Sequence, residues 1–171
     1  AVTGQKGTTR LKDPEAPIIL TDLQTLTPVH TFNVFHHGVI KLGFSDDGQF
    51  LAATGEDNRF VIWNMTDKTV VTSLMHEKQY TQFIWLKRFQ AGKYPTYTFA
   101  SSTSDRVYIY TLQFDLGSMK YFSTNEQLQL PSAGLSRTYN CCSKDETNKW
   151  YYAGTKGGEL CIFDIDNKIF K

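Results

Sequence analysis

Apolar and polar residues alternate along most of the chain in short runs, and the runs are separated by turns rich in Asp, Asn, Gly and Ser. The alternation is clearest between residues 39 and 75. Val39 to Phe44 alternates as a half-buried strand does, and Ser45-Asp46-Asp47-Gly48 then supplies the side-chain acceptors and the positive φ of a tight turn. Gln49 to Thr54 continues as a second strand. Glu56-Asp57-Asn58 turns the chain again, Phe60 to Trp63 resumes the alternation, and the β-branched run Thr69 to Leu74 follows. The predicted strands are 39–44, 49–54, 59–64 and 69–74. Four short antiparallel strands within about 40 residues match the length of one propeller blade.

The unit recurs. PIILTD (17–22), FVIWNM (60–65), RVYIYT (106–111) and LCIFDI (160–165) superpose with Thr21, Trp63, Tyr110 and Phe163 in one column, spaced by 42, 47 and 53 residues. Each follows a strand of small residues: AVTG (1–4), LAATG (51–55), TFASS (98–102) and YYAGT (151–155). No window of useful length keeps a 3.6-residue period, so helices are not expected. The expected architecture is all-β, a propeller segment of about four blades, incomplete at both ends, with blade segments of about 1–29, 30–68, 69–113 and 114–171. The first blade is expected to hold two strands, at 1–5 and about 16–22. Open strand edges at both ends would aggregate in isolation, so a longer chain or assembly is expected to cover them.

In residues 37–64 the chain resembles the WD-repeat β-propellers. His37-Gly38-Val39, the FSDDG turn, Asp57 and Trp63 fall where that family has its His, acidic turn and Trp. The resemblance implies a hydrogen-bonded tetrad that locks a blade, formed here by His37, Asp57 and Trp63. Ala53 stands at the hydroxyl position, so the imidazole is left to bond Asp57 directly. Tyr110 and Phe163 replace Trp in the later repeats, as suits a structural repeat in which size and strand propensity outweigh single polar groups.

Charge and chemistry narrow the function. Eighteen Lys and Arg against seventeen Asp and Glu give a net charge of +1, which leaves no electrostatic footprint for nucleic acid. The aromatics sit at alternating strand positions and read as packing. No apolar run is long enough for a membrane-spanning helix. Cys141 and Cys142 are adjacent and would point to opposite strand faces, and with Cys161 they offer no zinc spacing, so reduced, packed thiols are expected. His36-His37 lacks further ligands at metal spacing, and neither metal nor cofactor is expected. Ser101-Ser102-Thr103-Ser104-Asp105 reads as turn chemistry, and no nucleophile elbow or phosphate loop is present. An enzyme is not expected.

The opening residues carry a more specific signal. AVTGQ, a charged insertion, P-x-I-x-x-D with Thr25-Leu26 after it, and then Phe35, His37-Gly38-Val39 and Phe44-Ser45 resemble the echinoderm-microtubule-associated-protein-like family and related cilia- and flagella-associated WD-repeat proteins. The resemblance covers about the first third of the chain. It implies a non-catalytic propeller scaffold, tubulin or other axonemal proteins as partners, and a cytoplasmic place on the cytoskeleton of a cilium or flagellum. Lys6, Arg10 and Lys12 in the first insertion would meet an acidic partner surface, although Asp13 and Glu15 offset them. Lys87, Arg88 and Lys93 in a second insertion, LKRFQAGKYP (86–95), have no acid nearby in sequence and form the better basic patch. The alternative is a generic WD-repeat adaptor in a soluble multiprotein complex.

Overall fold

The computed structural model describes residues 1–6, 15–90, 92–128 and 137–171. These form fifteen strands and no helix. The first sheet holds β1 (Val2–Gly4), β2 (Glu15–Thr21) and β3 (Pro28–His36), and the second holds β4 (Val39–Phe44), β5 (Phe50–Gly55), β6 (Arg59–Asn64) and β7 (Val70–Met75). The third contains β8 (Tyr80–Phe89), β9 (Thr96–Thr103), β10 (Val107–Asp115) and β11 (Lys120–Gln127). The fourth contains β12 (Tyr139–Lys144), β13 (Trp150–Thr155), β14 (Leu160–Asp164) and β15 (Ile169–Phe170). Every sheet is an antiparallel meander in chain order. β1 lies against β4, β4 against β8 and β8 against β12. The leading strands thus follow one another along a common side, as the inner strands of propeller blades do.

Alternation within the middle strands explains how the sheets stack. In β5 and β6, Leu51, Ala53, Val61 and Trp63 pack with Ala16, Ile18, Phe32 and Phe35 of the first sheet. The intervening Phe50, Ala52, Phe60 and Ile62 face the other way, into a cluster with Phe83, Trp85, Tyr97, Phe99, Tyr108 and Tyr110 of the third. Ala100, Val107 and Ile109 of the third sheet then meet Tyr139, Tyr151, Ala153, Cys161 and Phe163 of the fourth. Each interior sheet therefore serves two cores, which is why its strands are apolar on both faces. Small residues in the second strands, Ala52, Ala53, Ala100 and Ala153, leave room for the aromatic rings opposite.

Two expectations about organisation change. The segment Pro28–His36 pairs with β2, from Glu15↔His36 to Thr21↔Pro28, so the first sheet has three strands where two were expected. The cuts at 29, 68 and 113 each fall one strand early, because the sheets change at 37–38, 76–79 and 128–138. A sequence repeat can be counted from any strand, whereas a sheet ends only where its ladder of hydrogen bonds stops.

Candidate functional site: inter-sheet locks and partner-facing surfaces

An acidic residue in the turn between second and third strands holds the crossover that enters each four-stranded sheet. In the β5–β6 turn, Asp57 Oδ2 accepts the main-chain N–H of His36 at 3.2 Å and lies 3.5 Å from Arg59 Nε. In the β9–β10 turn, Asp105 pairs with Lys78 from the preceding crossover. In the β13–β14 turn, Glu159 pairs with Arg137 Nε at 3.0 Å. One donor is a backbone amide and two are side-chain cations. The geometry is conserved in role while the chemistry drifts.

His37, expected to supply the imidazole of this lock, is exposed and sits at φ 69°. The bond to Asp57 comes from the residue before it and from the backbone. Left-handed φ at the crossover turns the His37 ring away from the strand and leaves the N–H of His36 to do the holding. Trp63 is 1% exposed and packs on Phe32 (centroids 5.0 Å apart) and Phe35 (6.1 Å), both from the first sheet. Tyr110 and Phe163 in the same column also face the preceding sheet. Gly55 completes the arrangement, since a Cβ there would lie 2.3 Å from Phe35 Cδ1 and 2.5 Å from Asp57 Oδ1. Any side chain at this position pushes the ring and the carboxylate apart.

The basic residues expected to face a partner are placed unequally. Lys6 forms a bridge to Gly38 that ties the first sheet to β4, while Arg10 and Lys12 lie outside the described residues. Lys87 Nζ meets Asp166 at 2.8 Å, and Arg88 Nε meets Asp47 Oδ2 at 2.8 Å. Both acids are distant in sequence, in the fourth and second sheets, so the patch at 87–88 is neutralised. Lys93, like Lys6, has no carboxylate partner among the described residues; its ammonium stands 5.4 Å over the Tyr94 ring.

Asp47 is the busiest carboxylate. Ser45 Oγ donates to its Oδ1 at 2.8 Å, the Gln49 N–H reaches the same oxygen at 3.1 Å, and the Tyr97 hydroxyl lies 2.7 Å from Oδ2. Burial alone would raise its pKa, but hydrogen bonds from Tyr97, Gln49 and Ser45 with the Arg88 charge carry it below the usual carboxylate range. Burial, and then the bond to Asp47, push the Tyr97 phenol far up. The turn FSDDG thereby ties the second sheet to the third.

A further repeat escaped the sequence reading. The last turn of every sheet starts at Asp22, Asn64, Asp115 or Asp164, whose side chain accepts main-chain N–H groups two or three residues on. Four residues after each, Leu26, Lys68, Met119 and Lys168 take φ between 56° and 63°. Offset and polar type were visible, but none of the left-handed residues is the Gly or Asn that announces such a conformation.

Ser101, Ser102 and Thr103 are buried at the end of β9 rather than in a turn. Ser101 Oγ donates to Gln82 O at 3.0 Å, so the hydroxyl is engaged in the sheet. The three cysteines are free thiols; Cys161 is buried, Cys142 half-buried and Cys141 exposed, which corrects the expectation that all three are packed. Among the described residues no group of three His, Cys, Asp or Glu side chains gathers as a metal site. Among the described residues no helix is long and apolar enough to cross a membrane.

No family model matches the chain. It is similar to cilia- and flagella-associated protein 52 of Chlamydomonas reinhardtii, with 23% identity over 161 residues that take in 91% of this chain. The chain spans about a quarter of that protein, 24% of its length. Among solved structures it is similar to the Cps50 (Swd1) β-propeller domain of Myceliophteria thermophila, with a TM-score of 0.69, 12% identity, and coverage of 98% of this chain and 56% of that one. The fold is a β-propeller.

Proposed function

We propose that the chain is a non-catalytic propeller scaffold in a cilium- or flagellum-associated protein, docking protein partners on or near axonemal microtubules. The observation that carries this reading is the similarity to cilia- and flagella-associated protein 52, because it runs along 91% of the chain rather than one repeat. The geometry supports a scaffold. The acids at the second turns hold crossovers, Asp47 and Tyr97 join sheets, and Asp57 and Trp63 lock the second sheet onto the first. Polar side chains that sequence alone would offer to chemistry are thus spent on rigidity, and rigid sheets present loops for binding. Lys6 and Lys93, with Arg10 and Lys12, belong to the surface offered to an acidic partner such as tubulin, while the paired Lys87 and Arg88 contribute little net charge.

The test is co-sedimentation of the protein with isolated axonemes and with bare microtubules, at low and raised salt. Axonemal pelleting that weakens as salt rises is expected. Protein that stays in the supernatant under all conditions would overturn the reading and leave the generic adaptor.

A further inference from the structure

A cleft of about 640 Å³ opens between the second and third sheets, beside their last turns. Its floor is aromatic. Tyr94 stacks on Phe114 with centroids 3.8 Å apart and planes 16° from parallel, and Tyr121 meets Phe114 edge-on at 5.1 Å. Tyr121 also packs on Phe50 at 5.0 Å and donates its hydroxyl to Pro95 O at 3.3 Å, so the floor is anchored to the core. Val70 and Met119 stand on the walls, 49% and 62% exposed. The size is that of sites that bury a few side chains.

The charge at the rim is net positive, two ammonium groups against one carboxylate. Asp67 lines the cleft, but its carboxylate is turned onto the Thr69 N–H at 3.1 Å and the Thr69 hydroxyl at 2.8 Å. Lys120 lines the opposite wall, and Lys93 stands over the Tyr94 ring. Neither ammonium has a carboxylate partner among the described residues, in contrast to Lys87 and Arg88, which are paired. Two unpaired cations over an aromatic floor complement a ligand that is acidic and carries one apolar side chain.

Building on the scaffold reading, we propose that this cleft docks an extended acidic segment of a protein partner. One aromatic or large aliphatic side chain of the segment sits on the Tyr94–Phe114 stack between Val70 and Met119, and flanking carboxylates meet Lys93 and Lys120. The apolar anchor supplies affinity, and the two ion pairs set polarity and the salt dependence.

The experiment is fluorescence anisotropy with three labelled peptides: one Phe flanked by Glu and Asp, its Gln and Asn counterpart, and its Lys counterpart. Each is titrated with the protein and with its Lys93→Glu/Lys120→Glu and Val70→Ser variants. All changed positions are exposed, and circular dichroism verifies that the sheets persist. The acidic peptide is expected to bind, to weaken as salt rises, and to lose roughly tenfold in the neutral counterpart, the scale of two exposed ion pairs. The charge-reversed variant should reject the acidic peptide and accept the Lys one, and Val70→Ser should weaken the acidic peptide without changing its salt dependence. Equal binding of acidic and neutral peptides, unchanged affinity in the charge-reversed variant, no binding, or self-association of the chain that the peptide does not compete with would each overturn the proposal. Axoneme co-sedimentation run in parallel separates the two readings. Peptide binding without sedimentation overturns the ciliary role alone, and sedimentation without peptide binding overturns the cleft alone.

Discussion

Replacing Trp63, Asp57 and His37 one at a time asks whether the second sheet is held by packing or by an imidazole-centred network. Trp63 is 1% exposed and its ring covers Phe32 and Phe35 across the boundary between sheets. An aromatic side chain of this size removes about 150–250 Å² from water, worth about 4–6 kcal/mol at 25 cal/mol per Å². Residual burial in the unfolded chain trims that to about 3–5 kcal/mol, in line with measured Trp→Ala effects. Trp63→Ala should therefore remove a fifth or more of the roughly 5–15 kcal/mol that holds a domain together. Trp63→Phe keeps most of the contact and should lose less than half as much. Asp57, with a side chain 12% exposed, leaves the His36 N–H without its acceptor when removed, for about 1–3 kcal/mol. His37→Ala should stay within about 0.5 kcal/mol, since the side chain is exposed. Urea unfolding followed by circular dichroism gives all four values on one scale. If His37→Ala destabilises as much as Asp57→Ala, or Trp63→Phe as much as Trp63→Ala, the packing account is refuted and the polar tetrad stands in its place.

Gly55→Ala should destabilise by about 1–3 kcal/mol in the same assay, because its Cβ would meet Phe35 Cδ1 at 2.3 Å and Asp57 Oδ1 at 2.5 Å, so the buried ring and the carboxylate that holds His36 must both shift. In acid, Asp47, Asp105, Asp115, Asp145 and Asp164 are all held below their ordinary values, so the unfolded chain binds more protons than the folded one. The stability they contribute is full above the unfolded carboxylate value of about 3.9 and is lost as pH falls through their folded values; melting temperatures should be flat near neutrality and drop below about pH 4. Asp47→Asn should lower the melting temperature at pH 7 and flatten that acid slope. At the alkaline end, burial pushes Tyr139 up to about 12, so it resists ionisation while the unfolded phenol titrates near 10. Stability should fall between those two values, with tyrosinate absorbance appearing together with loss of the β-sheet signal.

Strands are legible where alternation and turn chemistry agree. Between residues 39 and 75 both signals are strong, and the observed strands lie within one residue of 39–44, 49–54, 59–64 and 69–74. The column of Thr21, Trp63, Tyr110 and Phe163 is legible for the same reason: a large side chain every fourth strand must face a neighbour, and three of the four do. Partnerships across sheets were not. Lys87 and Arg88 are neutralised by Asp166 and Asp47, 79 and 41 positions away along the chain, and no local pattern announces such a pairing. The donor to Asp57 was misassigned because a backbone amide carries no sequence signature. The cleft beside Tyr94 and Phe114 was invisible because its walls come from turns of two different sheets.

The two-sided strands of the second and third sheets make sequence neighbours into strangers. Leu51 and Ala52 are bonded to each other, yet one answers to Phe32 and Phe35 and the other to Phe83 and Tyr97. Substitutions at adjacent positions should then be thermodynamically independent, while substitutions far apart in the chain, such as Trp63 with Phe32, should be coupled. News of a disturbance in the first core has to cross the sheets between to reach the last, with the Lys144–Asp46 pair as one direct tie from the second sheet to the fourth. Loosening should accordingly spread as a front, sheet by sheet, and amide exchange should record its passage in order along the chain.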